Sequence, residues 1–162
     1  MKKEIVEQGN VIVFSKKDFI DFIKYNNIDS EFIDLIKNRF AFISINDSDG
    51  DYFHKPIFDK DYDNFITLYF DDITSEDAKS PTNKGKTKMF SIEDAKKIVS
   101  FVKKNCGKNF IVHCAAGISR SGAVGTFIND FCQYNYENFR NNNRGIIPNQ
   151  FIYSTLKKVS NV

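Results

Sequence analysis

The sequence predicts an α/β domain of three layers, α/β/α, built around a central, mostly parallel sheet. Three observations carry this. Short β-branched runs alternate with stretches of helical period along most of the chain. At 162 residues the chain is long enough for one core and short for two, so residues 1–162 read as a single domain. Finally, the apolar run Phe110-Ile111-Val112 passes through a tight loop of small residues into an amphipathic helix.

Taken in order, Val11–Phe14 reads as the first strand. Ser15 is placed to cap a helix over about 16–26, with Asp18 three positions later, that buries Phe19, Ile20, Phe22 and Ile23. A second helix is predicted from Glu31 to about Asn38, with Phe32, Ile33 and Ile36 inward, and Phe40–Ile45 is the next strand. Lys37-Asn38-Arg39 resembles a loop of large tyrosine-only phosphatases, but its place between helix and strand makes it a basic helix end favoured by the dipole. Asp47, Asp49 and Asp51 alternate like the start of a calcium loop. The glycine falls at 50 and Phe58 stands where the bidentate acid belongs, so the stretch reads as a solvated turn.

Asn64–Phe70 alternates as a strand and ends at Asp71-Asp72-Ile73. The polar stretch from Thr74 to Lys88, with Pro81, Asn83 and Gly85, is predicted to be a surface loop. Its Gly85-Lys86-Thr87 lacks the first glycine and the preceding strand of a nucleotide-binding P-loop. Ser91 caps a helix to about Lys104, with Asp94 at the capping-box position; Asn105–Gly107 stop it before the Phe110 strand. Val124, Phe127, Ile128 and Phe131 then share one helical face. The polar segment Gln133–Arg144 carries no clear period. Pro148-Asn149 opens a final helix that buries Phe151, Ile152 and Leu156.

Composition excludes several classes. A net charge of +2 is too small to argue for nucleic acid, and the arginines (Arg39, Arg120, Arg140, Arg144) form no basic run. No apolar stretch approaches the ~20 residues of a membrane span. Three cysteines without paired spacing, and no secretory leader, predict a reducing, cytoplasmic setting. Cys106 and Cys132 are expected to be buried, inert thiols; the alternative is a disulfide with Cys114 that protects it from oxidation. His54 and His113 have no companion ligands at useful spacing, so no metal is expected.

The chemistry concentrates at His113-Cys114-Ala115-Ala116-Gly117-Ile118-Ser119-Arg120-Ser121. A loop that wraps tightly into a helix turns several N–H groups inward, at the positive end of the helix dipole. Such a cradle suits a tetrahedral dianion, and Arg120 adds a planar, two-pronged grip. The same field favours the thiolate of Cys114, since helix N-termini and nearby cations lower a thiol from ~8.5 to roughly 3.5–7.5.

His113-Cys114-x-x-Gly117-x-x-Arg120-Ser121 resembles the signature loop of cysteine-dependent protein phosphatases in their dual-specificity form. Ile147-Pro148-Asn149 with Leu156 is similar to the final helix of the small members, and the likeness runs over about residues 40–158. The resemblance implies a phosphatase of phosphotyrosine, extending to phosphoserine and phosphothreonine, in a protein substrate. Cys114 would be the nucleophile, with Ala115, Ala116, Gly117, Ile118, Ser119 and Arg120 holding the phosphate oxygens. Ser121 would help the sulfur leave, and His113 would support the loop. It also implies a general acid after an upstream strand. Asp72 is preferred, Asp71 is the alternative, and Glu76 or Asp77 would enter if the loop folded back.

No cofactor is implied, and the chain is expected to act as a monomer without nucleic-acid or membrane partners. Lysines 84, 86 and 88 are placed either at the active-site mouth or on a solvated loop. Two other functions stay open. One is action on a non-protein phosphate, such as an RNA 5′ end or a phosphoinositide, against which Ala115-Ala116 offers no lysine. The other is a silent module that binds phosphorylated partners.

Overall fold

The computed structural model of the protein describes residues 9–48, 57, 58, 60–73 and 88–161. The expectations for Asp49, Asp51, Glu76, Asp77, Lys84 and Gly85-Lys86-Thr87 lie outside these residues.

Strand β1 (Val11–Ser15) passes directly into α1 (Lys16–Tyr25), and the Ser15 hydroxyl accepts from the Asp18 N–H at 3.1 Å as the cap. Helix α2 (Ser30–Leu35) is shorter than expected. Asp29 caps it by accepting from the Glu31 and Phe32 N–H groups, and residues 36–39 form a turn into β2 (Phe40–Asn46). Then come β3 (Phe65–Tyr69), α3 (Ile92–Asn105) and β4 (Asn109–Cys114). The full capping box predicted at Ser91 and Asp94 opens α3. Helices α4 (Arg120–Phe131), α5 (Tyr136–Asn142) and α6 (Gln150–Ser160) complete the described chain.

The strands form one parallel sheet in the order β1-β4-β2-β3. Parallel neighbours need crossovers, which put helices on both faces. Alternation along β4 divides the core accordingly. Phe110, Val112 and Cys114 join the larger cluster under α3, α4 and α6, whereas Ile111 joins Phe19, Ile23 and Ile33 of the opposite layer. With tryptophan absent, phenylalanine fills this core: Phe19, Phe42, Phe65, Phe70, Phe90 and Phe110 are fully buried. Because β4 is central, its C-terminal end brings Cys114 to the middle of the sheet edge, paired in register with Ser15.

Two expectations change. The polar segment 133–144 contains α5, held by one buried ring, Phe139, and by Asn143. The Asn143 amide donates to the Val11 carbonyl and accepts from the Val13 N–H, each at 2.8 Å, so it satisfies the open edge of β1. Helical period missed this element because only one of its anchors, Phe139, is apolar. Cys106 and Cys132, expected as buried free thiols, are joined in a disulfide between the C-terminal ends of α3 and α4. Cys106 is exposed, and Cys114 is the free cysteine, so the bridge does not involve the signature loop. No helix among the described residues is long and apolar enough to cross a membrane.

Candidate active site

The loop between β4 and α4 folds tightly because Gly117 adopts φ +71°, a left-handed conformation that glycine enters without steric cost. Its missing side chain is needed as well. A Cβ there would lie 2.5 Å from the Ser15 nitrogen and 2.6 Å from the Phe14 carbonyl carbon. The Lys16 N–H donates to the Ala115 carbonyl at 3.1 Å, so the start of α1 also fastens the loop.

Within it the Cys114 side chain is buried, with Sγ 3.0 Å from the Ser121 hydroxyl. Burial pushes the thiol up, but the Ser121 hydroxyl, the N–H groups of Ser121 and Gly117, and the Arg120 charge together outweigh it. The net shift is downward, toward thiolate. Ser119 stands at the N-cap of α4 yet makes no side-chain cap; its hydroxyl donates to Asp72 at 2.8 Å.

Arg120 is buried. Its Nη1 donates to the Asp47 carboxylate at 2.6 Å and to the Phe70 carbonyl at 2.9 Å. Its buried Nε finds no hydrogen-bond partner among the described residues. A buried guanidinium N–H left unpaired is costly, and an oxyanion bound beside it would satisfy it.

The two aspartates separate by their partners. Asp71 accepts on both oxygens, from the Ser48 N–H and hydroxyl and from the Lys88 N–H. Burial raises its pKa, but these bonds and Arg120 outweigh that and favour the ionised carboxylate. Asp72 is exposed, and one oxygen receives both the Ser119 hydroxyl and the Asn149 amide, at 2.8 and 2.9 Å. The strand end carrying Asp72 thus meets the signature loop and the cap of α6.

His113 faces the opposite layer, its ring 4.3 Å from that of Phe19. Since a carbonyl can only accept, Nδ1–H donates to the Cys114 carbonyl at 3.2 Å, and Nε2 then accepts from the Ser44 hydroxyl at 2.6 Å. The Asn46 amide donates to Ser44, and Lys16 Nζ donates to Asn46, so a chain of polar contacts runs from α1 to the backbone of Cys114. Burial pushes His113 down to about 4, against a weaker opposing pull from the Cys114 carbonyl. A neutral folded imidazole gives stability that is complete above the unfolded value near 6.5 and is lost as pH falls toward 4. The loss is about 3 kcal/mol. Thermal melts across this window are expected to show it, and His113→Asn should flatten the slope.

Asp47, Asn149, Lys16 and Ser44 were not expected to serve the site. Asp47 lies 73 positions from Arg120 and Asn149 lies 77 from Asp72, so neither pairing leaves a local trace. Acids ending β2 and an Asn-capped helix were the available signals. Asp47→Asn is expected to loosen Arg120, weakening the binding of inorganic phosphate about tenfold or more, in line with ~1.5–3 kcal/mol for a charged hydrogen bond. The alkylation rate of Cys114 should change little, and Asp47→Glu should recover part of the loss.

No family model and no curated protein matches the chain. Among solved structures, it is similar to the human tyrosine phosphatase-like serine/threonine/tyrosine-interacting protein. That match has 20% identity and TM-score 0.48, covering 83% of this chain and 85% of that one. It is also similar to Tk-PTP in the active form, at 17% identity and TM-score 0.42 over 82% and 86% of the two chains. A mutant form of Tk-PTP aligns at 18% identity and TM-score 0.44 over 98% and 93%. What this chain does is therefore read from its own residues.

Proposed function

We propose that the chain is a single-domain, cysteine-dependent phosphatase of the dual-specificity type, acting on phosphorylated proteins. One observation carries the reading: the Cys114 sulfur sits 3.0 Å from the Ser121 hydroxyl at the base of the Gly117 loop, where the Gly117 and Ser121 N–H groups and the Arg120 charge favour its thiolate. Phosphotyrosine is the preferred ester. Phosphoserine and phosphothreonine are also within reach, because nothing in the sequence resembles the wall of a deep tyrosine-only pocket.

In this scheme the Cys114 thiolate attacks phosphorus in line with the leaving oxygen, and an S–P bond forms as the P–O bond breaks. Asp72 gives its proton to the departing oxygen and then takes one from the water that cleaves the phosphocysteine. Loop N–H groups from Ala115 to Arg120, with the Arg120 guanidinium, hold the equatorial oxygens. The Ser121 hydroxyl donates to the sulfur as it leaves. The reading places the chain in the cytoplasm as a monomer, where the Cys106–Cys132 pair would stand as a dithiol.

Acid quenching during turnover of a ³²P-labelled phosphotyrosine peptide is expected to leave label on the peptide containing Cys114. Phosphothreonine peptide, a phosphoinositide and triphosphorylated RNA complete the comparison. Turnover of either non-protein substrate alone would move the chain to that class. Absence of both label and phosphate release would leave only the binding module.

A further inference from the structure

A cavity of about 710 Å³ lies between α3 and α6. Its floor is aliphatic. Val99 is buried, Val159 is half-buried, and Ile92 is 53% exposed although its side chain would be better placed in a core. Its rim is basic. Lys96, Lys103 and Lys104 project from α3 and Lys158 from α6, all exposed, and Glu93 stands beside this rim, 3.6 Å from Lys96 Nζ.

Lysines at 103, 104 and 158 suit helix C-termini, where the dipole favours cations. Lys96, in the middle of α3, stands in an exposed 3.6 Å ion pair with Glu93, which a ligand carboxylate can exchange. Ile92, Lys96, Val99 and Lys103 follow helical spacing, so the groove runs along α3 for twelve residues, or about 16 Å at a rise of 1.5 Å per step. This matches about five residues of an extended peptide, or three turns of a helix.

We propose that this groove binds an acidic segment of a partner protein that carries one or two aliphatic or aromatic anchors. The anchors cover Ile92, Val99 and Val159, while carboxylates meet the lysine rim. Two other anionic partners fit less well. A membrane surface needs a convex or flat basic face, and this one is concave. Single-stranded nucleic acid is gripped by aromatic side chains on which bases stack, and the groove offers none.

The test is a selection from a random 12-residue peptide library on the full-length protein, followed by fluorescence anisotropy with the labelled consensus peptide. Enrichment of Asp and Glu around Leu, Ile or Phe is expected. Lys103→Glu combined with Lys158→Glu should weaken binding at least tenfold, as should Ile92→Asp. A peptide with its acids changed to lysine should bind the charge-reversed protein better than the original protein. Turnover of p-nitrophenyl phosphate should stay unchanged in all variants, which separates this inference from the proposed activity. No acidic enrichment, or binding indifferent to these substitutions, overturns the proposal. So does lysine-dependent capture of phosphatidylserine vesicles or an oligonucleotide in place of the peptide.

Discussion

Cys114→Ser is expected to lose phosphate release from p-nitrophenyl phosphate and phosphotyrosine peptides down to background, while inorganic phosphate still binds. A serine hydroxyl stays protonated at neutral pH in surroundings that make a thiol ionise, so no anion faces phosphorus. The Gly117 and Ser121 N–H groups and Arg120 do not depend on the sulfur. The cradle survives, and removing the thiolate also removes its repulsion of a dianion. Calorimetry with phosphate reads the binding and colorimetric turnover reads the chemistry. A companion measurement tests the cause. Ser121→Ala deletes the hydroxyl 3.0 Å from Sγ and should move the pH profile of iodoacetamide alkylation to higher pH, because a contact that favours the thiolate is gone. Full turnover in Cys114→Ser would remove the nucleophile assignment.

Asp72→Asn is expected to cost about 10²–10⁴-fold in kcat on phosphotyrosine, the range of a positioned general acid. The cost should be much smaller with p-nitrophenyl phosphate, whose stabilised phenolate leaves with little help. Loss of the alkaline limb of the kcat profile should accompany it, since the acid must be protonated when the ester bond breaks. Asp71→Asn separates the alternatives. That carboxylate is bound to Ser48 and Lys88, so its loss should appear first as a lower melting temperature, with a leaving-group dependence like that of the native protein. A leaving-group-dependent collapse in Asp71→Asn instead would exchange the two roles.

Much of this arrangement was written locally. The strand before Cys114, the small-residue loop and the apolar face of α4 follow from period and residue size within one stretch of sequence. The parallel sheet follows from the alternation of elements, because helical crossovers leave few other packings. What stayed hidden depends on contacts between distant segments. Neither Asp47 on Arg120 nor Asn149 on Asp72 has a local signature. Helix α5 escaped because its main anchor, Asn143, works by hydrogen bonds to an edge strand and not by an apolar stripe. The disulfide escaped because Cys106 and Cys132 are 26 positions apart, a spacing that matches no motif, and they meet only once two helices end side by side.

That bridge places two opposite demands on any solution in which the protein is handled. A thiol added to keep Cys114 from oxidising also reaches the exposed Cys106 and can open the bond to Cys132. Loop-closure entropy for a ring of this size is worth roughly 3–4 kcal/mol of resistance to unfolding. The freed end would be that of α4, the helix whose first residues are Arg120 and Ser121. Activity recorded in dithiothreitol and activity recorded without it would then belong to two molecules of different toughness, and the redox poise of the buffer becomes a variable to be set before any rate is compared.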